Sequence, residues 1–334
     1  MLKRCTPVLV ILCFAHTALA ATNLKQETDI EAGRTAYEAS EYAKAIEAFQ
    51  AAAAKDPKNG EVQFLLTKSY LELQEHDAAI RSAERAVMLE PNNSVYHEWL
   101  GKAYGEKADH AGWFSAMSLA KKARKEFEAA VGIDGRNFSA RQALIEFDCS
   151  APGIVGGGEE KAQPQIRELA ALDAAEGHYA AGNCRRQKKD FAVADEEFTK
   201  ALESHPKSKE LIYDIGDYAV RRSQPARLMV VAEAGERLAP ADPRGKFYRG
   251  VALVLRKENL GDAEQLLQEY AKIAPKRNGY PSPAAAHVWL GRLYESQNRA
   301  GEAEREFQTA LRLDPRNRLA QEAVKKSKRT KPSS

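Results

Sequence analysis

The chain has 334 residues, of which 44% are hydrophobic and 29% charged, with a formal net charge of +3. That length holds two average domains or one long repeat array, and the near-balance of charge excludes the basic excess expected of a nucleic-acid binder. Ala, Glu, Lys, Leu and Arg are heavily used while Val, Ile and Thr are sparse, which favours helix over strand.

Residues 1–20 differ from the rest. Lys3 and Arg4 precede the apolar run Val8 to Ala15, and Ala18-Leu19-Ala20 fits a small-residue cleavage site. The segment reads as a secretory signal peptide, and its run is shorter than a membrane-spanning helix needs. The expectation is an exported protein, periplasmic or secreted, with no membrane span after signal removal. The two cysteines beyond the leader are Cys149 and Cys184. In such a compartment the pair forms a disulfide or stays as two buried thiols.

From about residue 26 the chain repeats with a period of 34. Ala45 and Ala79 are 34 apart, as are Phe49 and Ala83, Ala52 and Ala86, and Pro57 and Pro91. The first unit carries Gly33, Ala45, Phe49, Ala52 and Pro57. The second carries Leu66, Tyr70, Ala79, Ala86 and Pro91, and the third Leu100, Gly101, Tyr104, Ala123, Phe127 and Ala130. Gly182, Ala194, Phe198, Ala201 and Pro206 mark the fifth. Two weaker units follow, and the eighth is the cleanest, with Leu290-Gly291, Tyr294, Ala303, Phe307, Ala310 and Pro315. Small residues suit a close crossing of two helices, aromatic residues fill the space beside them, and proline stops the second helix. One such hairpin cannot bury its apolar face alone, so neighbours must stack.

These residues resemble the tetratricopeptide repeat, a helix-turn-helix unit of 34 residues. The resemblance covers residues 26–317. It implies an all-α fold, a right-handed α-solenoid of about eight hairpins over 21–317. Residues 318–334 read as a capping helix and frayed tail. It also implies that the first helix of each hairpin lines a concave groove. The repeat register then nominates Arg34, Phe64, Lys68, Lys102, Tyr179, Arg186, Tyr213 and Asp217 as groove residues. The family's Lys and Asn clamp around a C-terminal carboxylate is only partly matched, because Asn183 is the one Asn at the corresponding place. A preference for acidic segments in the N-terminal half remains as an expectation.

Two stretches depart from the period, and both read as expanded turns within repeats, near 105–118 and 149–161. The first brings His110, Trp113 and Phe114, the second Ile154, Val155 and Gly156, Gly157 and Gly158. Consecutive repeats would set them side by side, either as a binding edge or packed on one another, with the aromatic residues covering Ile154 and Val155. The "PGIVGGG" turn resembles that of exported bacterial repeat proteins. It lacks the strand, the G-K-[ST] and the spacing of a phosphate loop. Glu159 and Glu160 already place negative charge at the following helix start, which opposes an anion there. Pro164 suggests that this helix starts or kinks near Gln163.

No H-E-x-x-H, G-x-S-x-G or C-x-x-C motif occurs, and the histidines lack ligand spacing. No catalytic residue, metal or cofactor is expected. The reading is a non-catalytic scaffold of the bacterial envelope that grips a peptide segment or partner protein. The alternatives are a small-ligand receptor or enzyme using the expanded turns, or a self-associating assembly factor.

Overall fold

The structure is a computed structural model and describes residues 27–330; the leader lies outside these. Among the described residues seventeen α-helices follow one another and there is no strand. Residues 27–38 form α1. It is followed by α2 (Tyr42–Lys55), α3 (Gly60–Glu72), α4 (His76–Leu89), α5 (Ser94–Asp109) and α6 (Trp113–Ile133). Then come α7 (Phe138–Ser150), α8 (Glu159–Leu172), α9 (Ala174–Gln187), α10 (Phe191–Glu203), α11 (Lys209–Arg221) and α12 (Pro225–Leu238). The last are α13 (Arg244–Arg256), α14 (Leu260–Ile273), α15 (Pro283–Ser296), α16 (Ala300–Leu313) and α17 (Arg318–Thr330). The chain divides into two compact units, one ending at Ala162 and the other beginning at Gln163, so the division falls inside α8.

Each unit is a stack of helical hairpins. In the first, α3 packs on α4 and α5 on α6, and α3, α5 and α7 touch in sequence. In the second, the pairs α9–α10, α11–α12, α13–α14 and α15–α16 repeat the pattern, with α17 packed on α16. The reason is visible at the crossings. A Cβ added at Gly101, Gly182 or Gly291 would lie 2.5–2.6 Å from the ring of Phe127, Phe198 or Phe307. The second helix therefore presses a phenyl ring against bare backbone of the first, and any side chain there would hold the helices apart.

Most first helices start on a side-chain cap. Asn59, Asn93, Asn137, Asp173, Ser208 and Ser282 each accept a backbone N–H of the first turn. This satisfies donors that would otherwise have no partner at a helix start. The following residue types then carry an apolar stripe inward, as with Val62, Leu65 and Leu66 on α3 or Ile212 and Ile215 on α11.

Two expectations about the irregular stretches fail. The extra residues of the third repeat do not make an expanded turn over 105–118. They lengthen the helices, α5 to 16 residues and α6 to 21, leaving only 110–112 between them. Ala, Lys, Met and Leu are good helix formers, and Gly105 is accommodated in the helix with open space beside it. Likewise α8 starts at Glu159 and runs through Pro164 to Leu172 rather than starting near Gln163.

Candidate functional site: the inner helix faces and the glycine turn

In the first unit, side chains from α1, α3 and α5 build one aromatic floor with cations above it. Phe64 stacks on Tyr96 at 5.5 Å and meets Trp99 edge-on at 5.6 Å between ring centroids. The Lys68 ammonium lies 4.9 Å from the Tyr37 ring, 5.5 Å from Trp99 and 5.7 Å from Phe64. Lys102 sits 4.9 Å from the Trp99 ring on the neighbouring helix. Such contacts fix an otherwise mobile lysine over the ring faces.

Two further cations of this face have carboxylate partners. Lys102 pairs with the buried Glu98 and donates to Ser139 at 3.2 Å, and Ser139 in turn donates to Glu98 at 2.6 Å. Arg34 pairs with Glu61 of α3. The structure thus brings Phe64, Lys68 and Lys102 together around Trp99, with Arg34 held by Glu61. Sequence reasoning missed Tyr37, Glu98 and Trp99. Trp99 shares its place before Leu-Gly with Trp289, which is buried in the second unit, so the pair reads alike as packing. Each also has a cation three residues on, Lys102 for Trp99 and Arg292 at 4.6 Å from the Trp289 ring, so no local sequence signal separates them.

The inner face of the second unit is built of phenols and carboxylates. Tyr179 donates to Asp214 at 2.7 Å, and Arg186 lies 3.7 Å from the same carboxylate. Burial pushes the Tyr179 phenol well above its usual value, with the Asp214 charge adding to it. Asp217, one turn along α11, accepts from Tyr248 at 2.8 Å, and burial raises its carboxyl. Tyr213 does not belong here. It is 1% exposed and packs in the core, stacked on Tyr248 at 5.6 Å, in room left by Gly235. A Cβ at Gly235 would be 2.4 Å from its hydroxyl oxygen. The repeat position of Tyr213 suggests the inner face, but the ring turns into the core because the facing helix offers bare backbone.

A second polar cluster in this unit has no sequence signal. The Arg244 guanidinium lies between the rings of Tyr213, at 4.2 Å, and Tyr280, at 4.3 Å. It pairs with Asp242 at 2.8 Å and donates to the Gly279 carbonyl at 3.0 Å. Burial alone would raise the Asp242 carboxyl; hydrogen bonds from the Arg244 side chain and backbone, and from Lys209, win and hold it at about 2.

The glycine turn is a closed structural element. Gly156 and Gly158 have φ of 101° and 148°, values that glycine adopts without strain. The Gly156 amide donates to Gly153 at 2.9 Å, Gly157 to Pro152 at 3.3 Å and Gly158 to Asp148 at 2.8 Å. Lys161 donates to the Gly156 carbonyl at 2.6 Å. With its amides engaged inside the turn, no anion cradle is left. The turn rests on the middle of α6, where Arg124 lies against Gly156 and donates to Asp148 at 3.1 Å. Trp113 is eleven residues earlier in α6, about 16 Å along the helix at its standard rise.

Mutual packing of the two irregular stretches is therefore not found. Trp113 is 68% exposed, Phe114 85% and Ile154 68%, and only Val155 is buried. His110 stacks on His76 at 4.9 Å and does not join the glycines. Cys149 and Cys184 are both buried, and neither is a free thiol. Among the described residues, no three His, Cys, Asp or Glu side chains are grouped to hold a metal ion. No described helix is long and apolar enough to cross a membrane.

Models of the tetratricopeptide repeat match residues 36–103 and 284–317. No curated protein matches the chain. Several solved structures are similar in fold. A thermophilic tetratricopeptide repeat protein of Thermus thermophilus is 15% identical, covering 69% of this chain and 99% of that one, with a TM-score of 0.46. MamA is 20% identical over 52% of this chain and 93% of its own, with a TM-score of 0.40. A tetratricopeptide repeat protein of Parabacteroides merdae is 12% identical over 91% and 99%, with a TM-score of 0.42. At these scores the likenesses carry no functional weight. The period in the sequence, the hairpins it folds into and the two matched stretches agree: the chain carries tetratricopeptide repeats over residues 36–103 and 284–317.

Proposed function

We propose that this protein is a non-catalytic scaffold that holds an extended peptide segment or a partner protein, with the inner face of its first unit as the contact surface. The observation that carries the proposal is the Lys68 ammonium held over Tyr37, Phe64 and Trp99. Half-buried aromatic rings give a partner contact area at low entropy cost, and a positioned cation gives direction. Arg34 and Lys102 add positive charge to the same face, and the preference for acidic segments is assigned to that face, with Lys68 over its three rings at the centre. The leader-like first twenty residues support a place in the bacterial envelope, periplasmic or secreted.

Titration with an acidic peptide and its uncharged amide counterpart tests the reading. The parent is expected to bind the acidic peptide more tightly, and Lys68→Glu to weaken that binding about tenfold or more. Equal binding by parent and variant would remove the proposal. The rival reading, a ligand or reaction at the expanded turns, loses its main support because the glycine amides are already engaged.

A further inference from the structure

We propose that Arg292, laid over Trp289 on α15, is a binding site for a carboxylate of a partner segment. The stretch Glu98-Trp99-Leu100-Gly101-Lys102 of α5 recurs in α15 as Val288-Trp289-Leu290-Gly291-Arg292. In both, the cation three residues on lies over the indole, Lys102 at 4.9 Å and Arg292 at 4.6 Å from the ring centroid. What differs is the counterion. Lys102 pairs with Glu98 and donates to Ser139. At the place of Glu98 stands Val288, which is buried, and among the described residues the Arg292 guanidinium makes no hydrogen bond and no ion pair.

Arg292 is half-buried, and burial pushes its guanidinium below the ordinary value, which the Glu295 carboxylate one turn on only partly offsets. Burial acts on Arg124 and Arg244 in the same way, but there hydrogen-bonded Asp148 and Asp242 outweigh it and the value rises. A cation that gives up water without gaining a partner destabilises the fold, and an anion arriving from outside offsets that cost. With the indole on one face of the guanidinium, its in-plane N–H donors are left to a planar, two-pronged acceptor. The one other charge acting on Arg292 is the negative Glu295. A singly charged carboxylate therefore fits better than a phosphate, which calls for further cations. The site shares no residue with the surface of the first unit and does not rest on that reading.

Calorimetric titration of the full chain carrying Lys68→Glu, which weakens the first-unit surface, tests it. Three alanine-based peptides serve as probes: one amidated with central glutamates, one with a free C-terminal carboxylate and no acidic side chain, and one amidated and neutral. A carboxylate peptide is expected to bind and the neutral one not to, and which of the two carboxylate peptides binds tells a side chain from a chain end. Adding Arg292→Met, which keeps an aliphatic cover over Trp289, is expected to weaken that binding about tenfold or more without lowering the melting temperature. Arg292→Lys should lose less, since it keeps the charge but not the fork, and Glu295→Gln should bind more tightly. Equal binding with and without Arg292→Met overturns the proposal, as does a neutral peptide that binds as well as the charged ones, or failure of both carboxylate peptides to bind. Inorganic phosphate that displaces the peptide at equal concentration also overturns it, by showing a general anion site. The step from parent to Lys68→Glu reports the first unit and the step to Arg292→Met reports this site, so either reading can fail without the other.

Discussion

At Gly291 the crossing of α15 and α16 leaves no volume for a methyl group: a Cβ would meet the Phe307 ring at 2.5 Å. Gly291→Ala is therefore expected to destabilise the protein by about 1–3 kcal/mol, through overpacking rather than loss of contact, and to lower the urea midpoint accordingly. Asp242 makes the matching prediction in electrostatics. Its carboxyl ordinarily titrates at 3.8 and is held at about 2 by Arg244 and Lys209. A depressed carboxylate contributes its stability fully above the unfolded value and loses it as pH falls through the folded one. Asp242→Asn is then expected to cost about 2 kcal/mol at neutral pH, with the gap to the parent closing between about pH 4 and pH 2. Burial pushes Asp148 and Asp217 the other way, so the gap between the two proteins is the readout rather than either curve. For the cysteines, the sequence reading leaves either a disulfide between Cys149 and Cys184 or two buried thiols, and neither is a free thiol. Peptide mapping after alkylation without reductant should return both unmodified and cross-linked to each other, and alkylation of either would contradict the pairing.

On the scale of helices, what can be read in the sequence is what sterics dictates. A Gly in the first helix facing a Phe in the second sets the crossing, so Gly33 with Phe49, Gly182 with Phe198 and Gly291 with Phe307 locate three hairpins at one spacing, while Gly101 with Phe127 keeps the same crossing across the longer helices of the third repeat. Helix ends are harder. The stretch after Tyr104 holds Gly105, Asp109, His110 and Gly112, which look like turn residues, yet α5 runs to Asp109 and α6 starts at Trp113. Local composition does not weigh turn residues against the helix-forming run that follows them. Orientation within a helix is also only partly legible: Asp217 reaches Tyr248 as a side chain of the inner face, while Tyr213, four residues earlier, turns into the core over Gly235. That choice belongs to the facing helix and leaves no mark in the local sequence. The exposed start of α6 gives a direct check. Trp113→Ala is expected to leave the melting temperature within the scatter of ordinary surface substitutions, about 0.5 kcal/mol or less, because the side chain is 68% exposed. A large fall would mean that Trp113 is packed after all.

Taken as a whole molecule, the chain carries two compact units whose inner faces differ in chemistry. The first offers lysines over aromatic rings, the second phenols hydrogen-bonded to carboxylates. A repeat array permits this because each hairpin needs only its crossing and stacking residues for the fold, which leaves the inner positions free to vary. Function then lies in those positions and not in the period. The central claim is that Lys68, held on its aromatic floor, directs an acidic partner segment onto the first unit. Isothermal titration of an acidic peptide into the parent and into Lys68→Glu, at matched helical content and melting temperature, tests it most directly. The account predicts a loss of about tenfold or more in the variant. Indistinguishable affinities in two equally folded proteins would contradict it.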